Sequence, residues 1–326
     1  MLTLCCHRVL ALQGRTAEGR KSLPMRVSVV RTLLLERPAS PGDHAHVAAA
    51  SGLARVGDWL HVVPDDSLHL ATFELGREGL GRSHPLFPDP QLPSDEKQRK
   101  QRKPDLESLT VVPWAGGQAL LSVGSGSTPA RRRGVLQPLT QCGEVEGRPR
   151  LFDLAPLYAA LPFAELNIEG VAATAGRLFL GQRGNGAEGV NAIIELDLGK
   201  ALSAIEAGSA WEPELILDQQ RLHLGEVRGV RLTLTDLAGW GERGLLLSAA
   251  AEDTPNTYDD GEILGSVLGR YSLETHEVHL ASLDGPWKVE GVEPVGPDTV
   301  LMVTDGDDPG RPALLLQATG LERLGP

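Results

Sequence analysis

The chain has 326 residues, 43 acidic side chains against 31 Lys and Arg, and a formal net charge of −12, a balance that argues against a general nucleic-acid binder or a protein of anionic membrane surfaces. No apolar run is long enough to cross a bilayer. Cys5, Cys6 and Cys142 have neither disulfide-framework nor metal-ligand spacing, so a reducing, cytoplasmic setting and a monomer are expected.

Residues 1–24, MLTLCCHRVLALQGRTAEGRKSLP, are read as an extension outside the fold. It is either disordered or the product of a start upstream of Met25, and its acid-poor, Arg-containing composition also admits a targeting role. Residues 25–326 are expected to form one domain. Its first strand is VSVVRTLLLE, Val27–Glu36.

Five copies of one pattern follow, each roughly 60 residues apart. The pattern is a polar residue, Gly or Ser, a β-branched or Leu strand, a second apolar strand, a polar Gly-rich turn and a third strand. The copies run from Ala50 to Leu75, Asp105 to Leu139, Asn167 to Leu198, Val227 to Glu274 and Val289 to Leu321. Segments such as LTVVPW, RLFLGQ and TVLMVTD are too short and too β-branched for helix. Fourth, edge strands are expected in PRLFDLAP, PELILDQQRLHL and HEVHLASLD, and for the first copy only in HPLFPDP, whose prolines suit an edge. SDEKQRKQRKP, Ser94–Pro104, is read as a solvated loop, and DLAPLYAALPF as a short helix broken by Pro156 and Pro162. The fifth copy stops after three strands, so the N-terminal strand is expected to supply its fourth and close the ring, removing exposed edges. The expected fold is therefore all-β, a five-bladed β-propeller of four-stranded blades. A six-bladed ring is the alternative and needs Gly76–Lys103 to form a blade.

SGLARVGDWLHVVPDD, DLESLTVVPW, NIEGVAATAGRLFLG and VEGVEPVGPDTVLMVTDGD resemble the phytase-like (esterase-like) β-propeller family, which repeats a Glu-Gly opening and an acid-bearing turn. The resemblance runs from about Ser51 onward and implies the propeller fold and hydrolase chemistry. The second and third copies depart from it, with GSGST and GQRGNG where an acid is usual.

Aligning the five openings places Ser51, Glu107, Glu169, Arg228 and Glu290 at equivalent inner positions around the channel. Glu107, Glu169 and Glu290 there suit Ca²⁺ or Mg²⁺, which prefer oxygen ligands. The same glutamates are equally able to bind backbone amides of the next blade. The turns after the second strands bring Asp65, Asp66, Arg183, Glu252 and Asp305 to the channel mouth, either as turn formers or as ligands for a metal and an anionic substrate. Arg131–Arg133 and Arg99–Lys103 are solvated runs or anion-steering patches. His44 and His46 share one strand face but have no third partner at ligand spacing. There is no G-x-S-x-G elbow and no H-E-x-x-H.

Three functions fit. One is a metal-assisted hydrolase of phosphate or carboxylic esters. Another is a non-catalytic propeller that binds a small anionic molecule or a protein partner. The weakest is a glycosidase-like carboxylate pair.

Overall fold

The computed structural model describes residues 23–325 except 41, 78, 90, 94 and 254–261. The expectations for residues 1–22 of the extension lie outside them. The chain folds as a five-bladed β-propeller of antiparallel sheets. Strand β1 is Val27–Thr32. Blade 1 is β2 (Ala50–Val56), β3 (Trp59–Pro64), β4 (His69–Glu74) and β5 (Arg82–Pro85). Blade 2 is β6 (Thr110–Trp114), β7 (Gly117–Val123), β8 (Arg133–Leu139) and β9 (Arg150–Asp153), and blade 3 is β10 (Ile168–Thr174), β11 (Arg177–Gln182), β12 (Asn191–Asp197) and β13 (Ile216–Leu222). Blade 4 carries a two-residue addition, β14 (Glu226–Val227), before β15 (Val230–Gly239), β16 (Gly244–Asp253), β17 (Glu262–Ser272) and β18 (Val278–Ser282). Blade 5 is β19 (Val289–Pro294), β20 (Thr299–Thr304) and β21 (Leu314–Thr319), completed by β1, which pairs with β21 from Val27↔Ala318 to Thr32↔Leu314.

The strands are apolar almost throughout because each blade is covered on both sides. Side chains alternate between faces. In β3, Leu60 and Val62 pack toward Leu301, Val303 and Leu315 of blade 5, whereas Val63 packs toward Leu120 and Val135 of blade 2. The blades approach most closely at the start of each inner strand. A Cβ on Gly52 would sit 2.5 Å from the backbone of Ser108 in the next blade, and one on Gly291 would sit 2.6 Å from Ser51 O. Only glycine tolerates that approach.

The edge strands fall where the sequence places them in blades 2, 3 and 4, and in blade 1 the edge strand is RSHP, slightly earlier than expected. The segment read as a loop at Ser94–Pro104 contains a helix, α1 (Glu96–Arg102), with Asp95 accepting from Gln98 N at 2.9 Å. The N-cap and a run of helix formers overcome the high charge. The short helix α2 (Ala155–Ala159) forms as expected, and a further helix, α3 (Leu198–Ala207), is capped by Asp197 and ends at Gly208 in the left-handed conformation.

Candidate functional site at the channel mouth

Each inner strand begins at the channel mouth with an irregularity in its ladder. Register shifts between Ala50 and Gly52, Ile168 and Gly170, and Val289 and Gly291 leave Ser51, Glu169 and Glu290 unpaired. Glu107 stands at the matching place just before β6, its N–H donating to Val123 O. In blade 4 the shift lies between Leu234 and Asp236, so the residue in this position is Thr235.

Arg228 is therefore corrected. It is exposed, at the turn of the β14–β15 hairpin, with φ 54° beside Gly229 at φ 83°. V-R-G-V imitates a blade opening, but Arg-Gly is used here as a two-residue hairpin turn, which needs positive φ at both residues. Thr235 bonds Ser248 Oγ and Val289 O, both at 2.8 Å, and ties blade 4 to blade 5. The next residue, Asp236, stands where blades 1, 3 and 5 have the close-approach glycines Gly52, Gly170 and Gly291 and blade 2 has Ser108. It is fully buried, and its carboxyl accepts from Val292 N at 2.8 Å.

The residue two positions before four of the ring positions also lies at the mouth, ahead of the regular strand in blades 2, 3 and 5. It is Asp105 before Glu107, Asn167 before Glu169, Thr233 before Thr235 and Lys288 before Glu290. Together with the mouth turns, these residues form two charged clusters.

The first cluster belongs to blades 1 and 2. Lys103, at the end of α1, pairs with Asp65 and with Asp105 at 2.7 Å, and Arg131 reaches Asp105 at 2.6 Å. Ser125 Oγ also donates to Asp105, at 2.6 Å. One carboxylate oxygen each from Asp65, Asp105 and Glu107 lies within 4.8 Å of the others. The second cluster spans blades 3 to 5. Arg183 contacts Glu252 at 2.9 Å and Glu169 at 3.5 Å, and Asn167 Nδ2 donates to Glu169 at 2.6 Å. Lys288 lies 3.5 Å from Glu290, 3.6 Å from Asp305, 3.9 Å from Glu252 and 2.6 Å from Asp307. Glu107, Glu169 and Glu290, expected to act as one metal-ligand set, thus have different partners. The trio whose oxygens converge takes only Glu107 from that set. Asp66, next to Asp65, borders a cavity beside the loop between β1 and β2, and burial and the Asp65 charge push its carboxyl up to about 6.

Carboxyls outnumber cations around the mouth, and burial acts on the inner ones. Burial, opposed by Arg183 and reinforced by Glu290, pushes Glu169 up to about 8. Burial against the Lys288 charge, with Asp65 and Asp307 adding repulsion, pushes Asp305 up to about 8. Glu107 is raised well above its ordinary value by burial, Asp105 and Glu169, and Glu290 is raised mainly by burial. Asp105 moves the other way, because Lys103 and Arg131 outweigh its burial. Neighbouring carboxyls are thus driven apart, Glu107 upward and Asp105 downward, the pattern from which acid and base roles are drawn. Burial alone would lower Lys103 and Lys288, but their acidic neighbours raise both.

A family model of unknown function, DUF6929, matches residues 46–319. The chain belongs to this family. No curated protein sequence matches it. Among solved structures, a luciferin-regenerating enzyme is similar over 85% of this chain and 92% of its own, at 13% identity and TM-score 0.43. A GH43 glycoside hydrolase, engineered to display both endo-xylanase and exo-arabinofuranosidase activity, is similar over 89% of this chain and 51% of its own, at 12% identity and TM-score 0.45. No phytase-like family is among these matches, so that resemblance stands on the quoted motifs alone.

Asp105 and Lys288 were not singled out by sequence, and Lys103 was named only within the basic run Arg99–Lys103. The signal that finds Asp105 and Lys288 is a count of two residues back from Glu107 and Glu290. Nothing comparable marks Lys103, which reaches the site from outside the blades.

Proposed function

We propose that this protein is a cation-assisted hydrolase of phosphate or carboxylic esters, acting at the channel mouth between blades 1 and 2. The observation that carries the reading is the convergence of Asp65, Asp105 and Glu107, whose oxygens lie within 4.8 Å of one another. The donor set is all oxygen, which suits Ca²⁺ or Mg²⁺ rather than a softer metal. Lys103 already sets a positive charge against the same carboxylates, so the site is built for a cation. A divalent ion there would polarise the ester oxygen. The chain's own groups supply the rest. Lys103 and Arg131, displaced from the carboxylates by the ion, would attract and orient the anionic end of the ester. Glu169 belongs to the neighbouring cluster but acts on Glu107 through its charge, and with its carboxyl pushed up to about 8 by burial it would hold a proton for the leaving oxygen.

The engagement of Lys103 also favours a second reading, a non-catalytic propeller that uses the mouth to bind a small anionic molecule or a protein partner. No observation favours a glycosidase-like pair over these two. Melting curves with and without Ca²⁺ or Mg²⁺, together with a p-nitrophenyl ester and phosphate panel, separate the readings. The hydrolase predicts a cation-dependent rise in melting temperature and turnover that Glu107→Gln and Glu169→Gln each reduce at least about tenfold. Unchanged melting and no turnover would leave the binding scaffold.

A further inference from the structure

The loop between β1 and β2, the β3–β4 turn and α1 border a cavity of about 280 Å³ that the hydrolase reading does not use. It lies at the seam where blade 5 meets blade 1, since Pro309 of the β20–β21 loop also lines it. A cavity of roughly 150 Å³ already admits benzene, so this one has room for a ring with a short side arm. We propose that the cavity binds a small primary amine, its ammonium paired with Asp66 and its apolar body against Leu35, Val47 and Ala71. The proposal is independent of the hydrolase reading.

Two carboxylates, Asp43 and Asp66, and one guanidinium, Arg99, border the cavity. Arg99 is already committed. Its Nη1 lies 3.5 Å from Asp43, and its Nη2 donates to the main-chain carbonyl of Asp66 at 3.0 Å. Among the described residues, the Asp66 carboxyl itself takes part in no hydrogen bond and no ion pair. A half-buried carboxylate in that position is best satisfied by a cation that a ligand brings. His69 stands in the same wall. It is buried, and its Nδ1 has no hydrogen-bond partner. Burial lowers its pKa, so the ring is neutral, does not repel an ammonium and keeps an acceptor nitrogen. The rest of the wall is largely apolar, with Leu35, Val47, Pro64 and Ala71. His44 and His46 add two stacked rings, their centroids 5.1 Å apart and their planes at 9°. The polar groups are spread around this wall. Among the described residues, the acids and histidines whose ligand atoms converge are Asp65, Asp105 and Glu107 at the mouth, and none that lines the cavity. Separate polar groups on an apolar wall suit a molecule with a charged end and an apolar body, not a bare ion. A carboxylate ligand would be repelled by Asp43 and Asp66, and a neutral one would leave Asp66 without a counter-charge.

The test titrates the full-length protein by calorimetry with 2-phenylethylamine, 2-phenylethanol and phenylacetate, in chelator and at about pH 8, where the amine is still an ammonium. The expected result is one equivalent of amine bound with a Kd of ~1 mM or tighter, and the alcohol and the acid each weaker by about tenfold or more. Asp66→Asn removes the charge and keeps a turn-forming side chain. Ala48→Phe fills the cavity from a partly exposed loop position. Each should weaken the amine about tenfold or more, with Glu107→Gln binding it as the parent does. The two variants act by different routes, so one keeps the test open if the other fails to fold. No saturable binding overturns the proposal. So does equal affinity for the alcohol or the acid, and so does parental affinity in Asp66→Asn. Loss of binding in Glu107→Gln alone would assign the amine to the mouth instead. Ester turnover enters none of these readouts, so failure of the hydrolase reading leaves the result intact.

Discussion

The two halves of the channel mouth are charged alike and built differently. Around blades 3 to 5 the cations belong to the blades themselves. Arg183 directly follows β11 and Lys288 directly precedes β19, and their side chains are only 9% and 8% exposed. Around blades 1 and 2 the cations come from connections. Lys103 ends α1 and Arg131 sits in the β7–β8 loop, with side chains 14% and 19% exposed. A cation held by the ladder is part of the fold. One delivered by a connection can be displaced without moving a blade. The difference teaches that two acid clusters, each held by two cations, need not be equally available to a ligand, and it directs function to the sector of blades 1 and 2.

The comparison can be broken in three ways. The largest expected effect is Arg183→Met, which leaves Glu169 and Glu252 facing each other in a buried site. It should cost about 3–5 kcal/mol, as removing one partner of a buried ion cluster does, measured by urea unfolding. A loss below about 1 kcal/mol would show that this sector is not locked.

Next is the pH dependence of the same sector. The Glu169 carboxyl rises from 4.5 to about 8 in the folded protein. Between those values the folded state holds a proton that the unfolded state releases. Stability therefore falls as pH rises through this window, by on the order of 1–3 kcal/mol. Asp305 has the same sign. Comparing unfolding midpoints at acid and alkaline ends of the window should give a shallower slope for Glu169→Gln than for the parent. An equal slope would remove Glu169 as the cause.

The smallest effect is expected from Lys103→Met. It should cost only about 1–2 kcal/mol, because Arg131 still pairs with the buried Asp105 and Asp65 is partly exposed. The melting-temperature rise with Ca²⁺ should at the same time exceed that of the parent. A cost equal to that of Arg183→Met, with no gain in Ca²⁺ response, would make the two sectors equivalent.

The ring was legible because its local signals agree. Short apolar strands and Gly-rich turns recur, and the strand at the start of Val27–Glu36 is left over to complete the three-stranded fifth copy. Blade 4 was legible as a blade but not in register. Arg228-Gly229 copies the opening of its neighbours, while the true position, Thr235-Asp236, lacks the glycine that marks it in blades 1, 3 and 5. The distinction lies in which residue is bulged, a property of pairing across strands that one strand's sequence does not carry. Helix α1 was read as a loop from its charge, although Asp95 with Gln98 three residues on is a capping signal. That misreading hid Lys103, because a residue's destination depends on the direction in which its helix ends. Glu107, Glu169 and Glu290 were legible as equivalent positions. Their separate partners were not, because those partners come from other blades.

The pairing of β1 with β21 has a consequence for how the molecule is made. Val27 meets Ala318, so the first strand to leave the ribosome waits for the last before either is satisfied. Contacts so distant in sequence are slow to form, and until then β1 and the unfinished edge of blade 5 each present a free strand edge. At high concentration, the free β1 of one molecule can complete blade 5 of another before its own does. The exchanged pair would keep every native hydrogen bond, so the hazard is kinetic and belongs to assembly rather than to the finished fold.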